Sequence, residues 1–457
     1  MPGGEGRANA SLHGSVLSEL APFVGNRALS RLAQSGALSG RVLARYDTGE
    51  HTMFGGDDVV FVKDDVKITE REMLTLGDLY ERVDDVYAAD VGELRTLVAL
   101  IRRDRDAYLG LNNARSVSNS EWEAATPQGA HRTKTFLDLA AENDAHFAPA
   151  TSGHAWDWKT AKDYKAEWRR IHKQALDLAR GAKTAADRQR AYAFNAFAGH
   201  FLTDAFSAGH MINKQETIAR AKASWDGLET QYWIFHENEF TKKVAEAVLA
   251  DPVAGRQLRK YWIRIVDWHE MSAEHLSELL WQFANNDEYR EKFYDNFVKS
   301  VHDELSDTGI QVSNPRGDGP WVLRGDTHLM PDDPKTTSKD KYEASRESSE
   351  NTLRVGRAAF AQSVKNISEA VGSTQPLDYE KLFERVWAYV PRPTAKGDSH
   401  IREVSDRLLN LRNPEAIKTF ARIVANNVDL LIRKLNDPSV DRLESPDEIK
   451  GMPGKPM

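Results

Sequence analysis

The stretch Gly199-His200-Phe201-Leu202-Thr203-Asp204-Ala205-Phe206-Ser207-Ala208-Gly209-His210 holds two imidazoles and a carboxylate. It lies in an alanine-rich segment, 191–208, whose propensity predicts a helix. His200 and Asp204 are four positions apart, so a helix puts them on one face. An imidazole and a carboxylate on one face can hold a divalent metal. The same pair can also be a hydrogen-bonded His–Asp couple inside a helical core. His210 follows Gly209, which either ends the helix or lets the backbone approach a neighbour closely.

Composition narrows the chemistry. The chain has 457 residues, 40% hydrophobic and 28% charged, with a net charge of −8. That balance argues against a general nucleic-acid binder, which carries a basic field. There is no cysteine, so disulfides are excluded and a metal must be held by nitrogen and oxygen. No apolar run is long enough for a transmembrane helix, and the N-terminus lacks a secretory h-region. The lack of cysteine fits either a cytosolic protein or a bacterial export route that avoids disulfides, and any export is expected by a non-Sec route.

The elements that must position these residues are expected to be helical. Residues 1–45 read as a flexible leader, 46–390 as one helical domain, and 391–457 as a helical tail ending in a disordered segment. Helices are expected from Thr69, over 93–109, 133–142, 164–180, 191–208, most of 214–300, 353–371, 401–411 and 416–435. Segments 110–132 and 331–350 read as loops, and 308–326 as a small β-hairpin. The aromatics of 214–300 recur at helical spacing and are expected to be core. Trp156 and Trp158 are candidates for a substrate platform or for packing.

Further residues of ligand type are scattered along the chain. His51 sits in a glycine-punctuated loop, and Asp78 interrupts an apolar stretch where an unpaired carboxylate would be costly. His146 stands at a helix end. His236 with Glu239, and His302 with Asp303, are two later pairs. Asp78, His146, His200 and Asp204 would suit one zinc. His210 with a later His and carboxylate would suit a second, and His51 with a bridging Asp204 a third.

In this order the residues resemble the zinc-dependent phospholipase C superfamily, which includes single-strand-specific nucleases. The motif His-x3-Asp-x5-His stands here as His200, Asp204 and His210, with Gly77-Asp78 and His146-Phe147 upstream. The resemblance covers residues 46–330 and implies an all-α, multi-helix phospholipase C/nuclease-like domain with a β-hairpin and a helical C-terminal extension. It implies two or three Zn²⁺ ions, with Asp78 as general base or water-orienting carboxylate. The family's later His-x3-Glu or His-x3-Asp pair has no counterpart; His302 with Asp303 is preferred over His236 with Glu239. The family's metal-binding N-terminal amine would correspond to internal Tyr46, so either cleavage after Arg45 completes a third site, or the site holds two metals, or a third metal is held by His51, Asp204 and waters. The expected activity is phosphoric ester hydrolysis, with phospholipid favoured over single-stranded nucleic acid. A non-catalytic structural or cargo protein on the same scaffold is the rival expectation. Residues 24–32, VGNRALSRL, resemble a leader of proteins encoded beside contractile injection systems, which implies a toxin or effector cargo with those components as partners.

Overall fold

The computed structural model describes residues 48–129, 132–151, 157, 159–232, 236–259, 272–285, 290–326, 328–426 and 428. The chain is mostly α-helical, with two two-stranded sheets and one three-stranded sheet among the described residues. A short helical turn, α1 (Thr48–His51), precedes an antiparallel hairpin of β1 (Val59–Lys63) and β2 (Val66–Thr69). Thr69 then starts α2 (Glu70–Thr75), its N–H donating to the Glu72 carboxylate at 2.8 Å. A 3₁₀ turn, Leu76–Asp78, continues α2, and its apolar residues anchor Asp78 in the interior.

Next come α3 (Val83–Ala88) and α4 (Val91–Tyr108). Of the stripe that helical spacing predicts, Leu94, Leu97, Val98, Leu100 and Ile101, all but Leu100 are buried, and Leu100 is half-buried. Helix α5 (Asn119–Ala125) lies within the expected loop 110–132, nucleated by a Ser118–Glu121 capping box. Helix α6 (Phe136–Ala141) and a 3₁₀ turn, Asp144–His146, lead to α7 (Tyr164–Gly181).

Helix α8 (Ala185–Asp204) is the central rod, packed on α7, α2 and β1. Every residue from Ala193 to Asp204 is buried, as expected for a helix without a polar face. Its alanines and Gly199 allow that density; a Cβ on Gly199 would lie 2.6 Å from the Phe360 ring.

The second half contains α9 (Lys214–Asp226), the pair β3 (Thr230–Tyr232) and β4 (His236–Asn238), α10 (Glu239–Ala250), α11 (Ala273–Asn285) and α12 (Arg290–Thr308). The expected hairpin is present as β5 (Ile310–Ser313) and β6 (Trp321–Leu323). Helix α13 (Lys339–Ala370) starts inside the expected loop 331–350. Its inner face there is Ser345, Ser348, Ser349 and Thr352, all buried, so hydroxyls stand where a hydrophobic pattern would have revealed the helix.

Helix α14 (Tyr379–Trp387), β7 (Arg392–Pro393), α15 (Ala395–Leu408) and α16 (Pro414–Asn426) complete the described chain. The expected tail is built into the core: β7 pairs with β5, and Phe420 of α16 lies 4.6 Å from the Phe297 ring. Trp225, Phe240, Phe293 and Phe297 are buried around it, as expected for core aromatics. No helix among the described residues is long and apolar enough to cross a membrane.

Candidate metal centre

Six segments converge at the C-terminal end of α8. His200 and Asp204 occupy its last turns, both fully buried. The chain then turns, with Ser207 N–H donating to Asp204 O, and the 3₁₀ segment Gly209–Met211 carries His210 back to Asp204. Ala148 N–H donates to His210 O at 2.9 Å, which ties the His146 turn to that segment. Asp78 comes from the turn after α2, His51 from α1, His302 from α12 and Asp326 from the loop after β6.

Asp204 is the hub. Its Oδ1 lies 3.2 Å from His210 Nδ1 and 3.8 Å from His51 Nε2. Its Oδ2 lies 3.0 Å from His146 Nδ1 and 3.8 Å from His200 Nε2. Asp78 adds a second carboxylate, 3.6 Å from His51 Nε2 and 3.8 Å from His200 Nε2. On the other side of His210, His302 Nε2 meets Asp326 Oδ2 at 3.0 Å. The potential ligand atoms fall into three sets, each within 4.8 Å: His51–Asp78–His200, His146–His200–Asp204 and His210–His302–Asp326.

Atoms at these distances could share an ion. With metal–ligand bonds of about 2.0–2.1 Å, tetrahedral neighbours stand about 3.3 Å apart. The tautomer of His51 supports that reading. Thr203 Oγ1 donates to His200 O at 2.7 Å, which leaves it to accept from His51 Nδ1–H at 2.8 Å. His51 Nε2 then faces the two carboxylates, where a neutral ring would offer its lone pair to a cation between them. The donor set, imidazole and carboxylate only, suits a divalent transition metal.

Glycines make the convergence sterically possible. A Cβ on Gly77 would lie 2.4 Å from His200 Cγ, and one on Gly209 would lie 2.4 Å from His302 Cδ2. Gly325 is pressed against Ser207, whose hydroxyl donates to Asp326 Oδ1 at 3.1 Å. Gly209 therefore serves the close approach that its place in the sequence allowed.

The structure brings together His51, Asp78, His146, His200, Asp204, His210 and His302. It corrects Asp303. Consecutive helical residues point about 100° apart, so Asp303 cannot share an ion with His302 Nε2. Instead its carboxylate accepts from His302 Nδ1–H at 3.0 Å and from Lys299 Nζ at 2.9 Å, and so orients the ring. Burial opposes a charged His302, but Asp326 and Asp303 outweigh it and push the imidazole up to about 9. The carboxylate at its Nε2 is Asp326, which the sequence reading passed over as part of the hairpin. No local signal singles it out, because Gly-Asp also stands at Gly56-Asp57, Gly77-Asp78, Gly317-Asp318 and Gly397-Asp398.

Glu239 is also corrected: it is exposed and pairs with Lys243 at 2.7 Å. Glu239 stands on the exposed side of α10, opposite buried Phe240 and Thr241, so it adds nothing to this centre. The side chain of His236 lies outside the described residues, as do Tyr46, Trp156 and Trp158. No family model, curated protein or solved structure matches this chain.

Proposed function

We propose that the chain is a zinc-dependent phosphoric ester hydrolase with phospholipase C-like chemistry. The observation that carries this reading is Asp204, one buried carboxylate approached by four imidazoles from three other segments and its own helix. His51, Asp78, His146, His200, Asp204, His210, His302 and Asp326 would hold two or three ions, with Asp204 bridging. Zinc supplies charge neutralisation, a hydroxide near neutral pH and leaving-group stabilisation in such hydrolysis. Asp78, held rigidly beside both His51 and His200, would orient the attacking water and accept its proton. Asp303 would fix the His302 ring from behind.

The net charge of −8 favours a phospholipid over single-stranded nucleic acid as substrate. The leader-like residues 24–32 make delivery by a contractile injection system part of the proposal; they lie outside the described residues.

Zinc per chain, measured by elemental analysis on wild type and on His200→Ala/Asp204→Ala, tests the reading first. Two or three ions in wild type, mostly lost in the variant, support it. No metal in protein purified without chelator overturns it. Hydrolysis of phospholipid vesicles, single-stranded DNA and small phosphodiesters then assigns the substrate. Loss of that activity in Asp78→Asn, with the fold and zinc retained, assigns the catalytic carboxylate. Bound zinc with no hydrolysis of any phosphate ester leaves the metal as a structural core of a cargo protein.

A further inference from the structure

The candidate ligands are not held alike. His200 and Asp204 ride on the long helix α8, and His302 on α12. His146 closes a 3₁₀ turn of three residues, Asp144–His146. A turn this short does little to stiffen a side chain it carries. Yet His146 Nδ1 stands 3.0 Å from Asp204 Oδ2 and 3.2 Å from His200 Nε2. The constraint on its position has to come from outside the turn.

The start of α9 supplies it. Four consecutive residues there each bind the segment around His146. Asn213 Nδ2 donates to Ala148 O at 2.8 Å, and Lys214 Nζ donates to Asn143 Oδ1 at 2.9 Å. Gln215 Nε2 donates to Asp144 Oδ1 at 2.6 Å. Glu216 accepts from Thr151 N–H and Oγ1–H, both at 2.9 Å. Asn143 and Asp144 precede His146 in the chain, and Ala148 and Thr151 follow it, so the turn is gripped on both sides. Asn213 also fixes the helix start itself, its Oδ1 accepting from Glu216 N–H at 2.9 Å.

These contacts are not equal in strength. Those of Gln215 and Glu216 are exposed, where water competes for the same groups. Lys214 is only 5% exposed, and its ammonium also pairs with Asp295 Oδ1 at 3.2 Å. Asp295 lies on α12 seven residues before His302, two helical turns, so the two share a face. One buried ammonium therefore ties the His146 turn to the helix of His302, from a place four residues after His210. A charged hydrogen bond shielded from water is the strong member of such a set.

We propose that Lys214 is a positioning residue for the metal centre, holding the His146 turn so that His146 reaches the ion shared with His200 and Asp204. The inference rests on the metal reading above. An imidazole already held in place binds an ion without the cost of ordering the turn at that moment.

Zinc affinity by chelator competition is measured on full-length wild type, Lys214→Met, His146→Ala and the double variant. Lys214→Met keeps the length of the stem and removes the charge. It is expected to weaken one zinc about tenfold to hundredfold. In the His146→Ala background it is expected to add no further loss, because both changes act through one ligand. With cobalt(II) in place of zinc, Lys214→Met is expected to alter the visible spectrum, and Gln215→Ala to leave it as in wild type. Asn143→Ala removes the acceptor on the turn but leaves the Lys214–Asp295 pair, so it carries the test if Lys214→Met does not fold; the same loss is expected. Wild-type zinc affinity in the folded variant, or an undiminished further loss on top of His146→Ala, overturns the proposal and leaves the metal reading standing. Absence of zinc from wild type overturns the metal reading itself, and this inference with it.

Discussion

Asn195 and His200 stand on the same helix, and each belongs to a buried group built around imidazole. The groups differ in charge. Beside Asn195, His172 donates from Nδ1 to Asn195 Oδ1 at 2.7 Å and accepts at Nε2 from Asn366 Nδ2 at 3.4 Å. Asn366 also donates to Leu382 O, and Asn195 donates to Ser363 Oγ, which in turn donates to Phe360 O. The ring stacks on Trp168 at 4.7 Å. Burial pushes His172 down to about 4, so it is neutral and needs nothing further. Around His200, less than two turns away, carboxylates face imidazole nitrogens. Burial of histidine is common to both groups; only the second gathers anionic donors that a cation can bring together.

That contrast can be broken most directly at Asp204. Asp204→Asn is expected to weaken metal binding by more than the about tenfold to hundredfold typical of losing a mere supporting partner. Metal titration against a chelator measures it, and zinc retained at full stoichiometry would abolish the distinction. The converse substitution, His172→Ala, leaves Asn195 and Asn366 short of partners beside a cavity under Trp168. It is expected to cost about 3 kcal/mol in denaturant unfolding while zinc per chain stays constant.

Acidity separates the two groups again. The unfolded chain protonates His172 near its ordinary value of 6.5, whereas the folded chain resists until about 4. The unfolded state therefore takes up the proton first, and stability falls as pH drops from 6.5 towards 4. The loss is about 3 kcal/mol, by the linkage of pKa shift to free energy. Unfolding across that range in wild type and His172→Gln reads it as a difference in slope; equal slopes contradict the assignment.

The smallest expected effect lies at Asp303. Asp303→Ala should weaken one metal site about tenfold to hundredfold, and Asp303→Asn should recover much of it, because an amide oxygen still accepts from His302 Nδ1–H. Equal losses in both variants would restore Asp303 as a charged ligand.

Much of the centre was legible because ligand spacing on a helix is local. His200 and Asp204 share a face by periodicity alone, and Gly209 allowed either a helix end or a close approach before His210. The stripes of α4 and α7 and the hairpin of β5 and β6 were readable for the same reason. Where the inner face of a helix is serine and threonine, as at the start of α13, the pattern fell silent.

Residue type and short-range order thus determined that nitrogen and oxygen donors are the only ligands available, that α8 is a buried rod, and that His200, Asp204 and His210 lie near one another. Tertiary structure alone decided which distant carboxylate joins His302. Gly-Asp occurs also at Gly56-Asp57, Gly317-Asp318 and Gly397-Asp398, whose carboxylates lie away from the centre, so the dipeptide does not select Gly325-Asp326. The selection comes from packing: the loop after β6 runs against Ser207 with no Cβ in between, and Asp326 then meets His302 Nε2 while Asp303, one residue along the helix, is turned away. Long-range direction of this kind is set by how helices and loops meet, which no local spacing encodes.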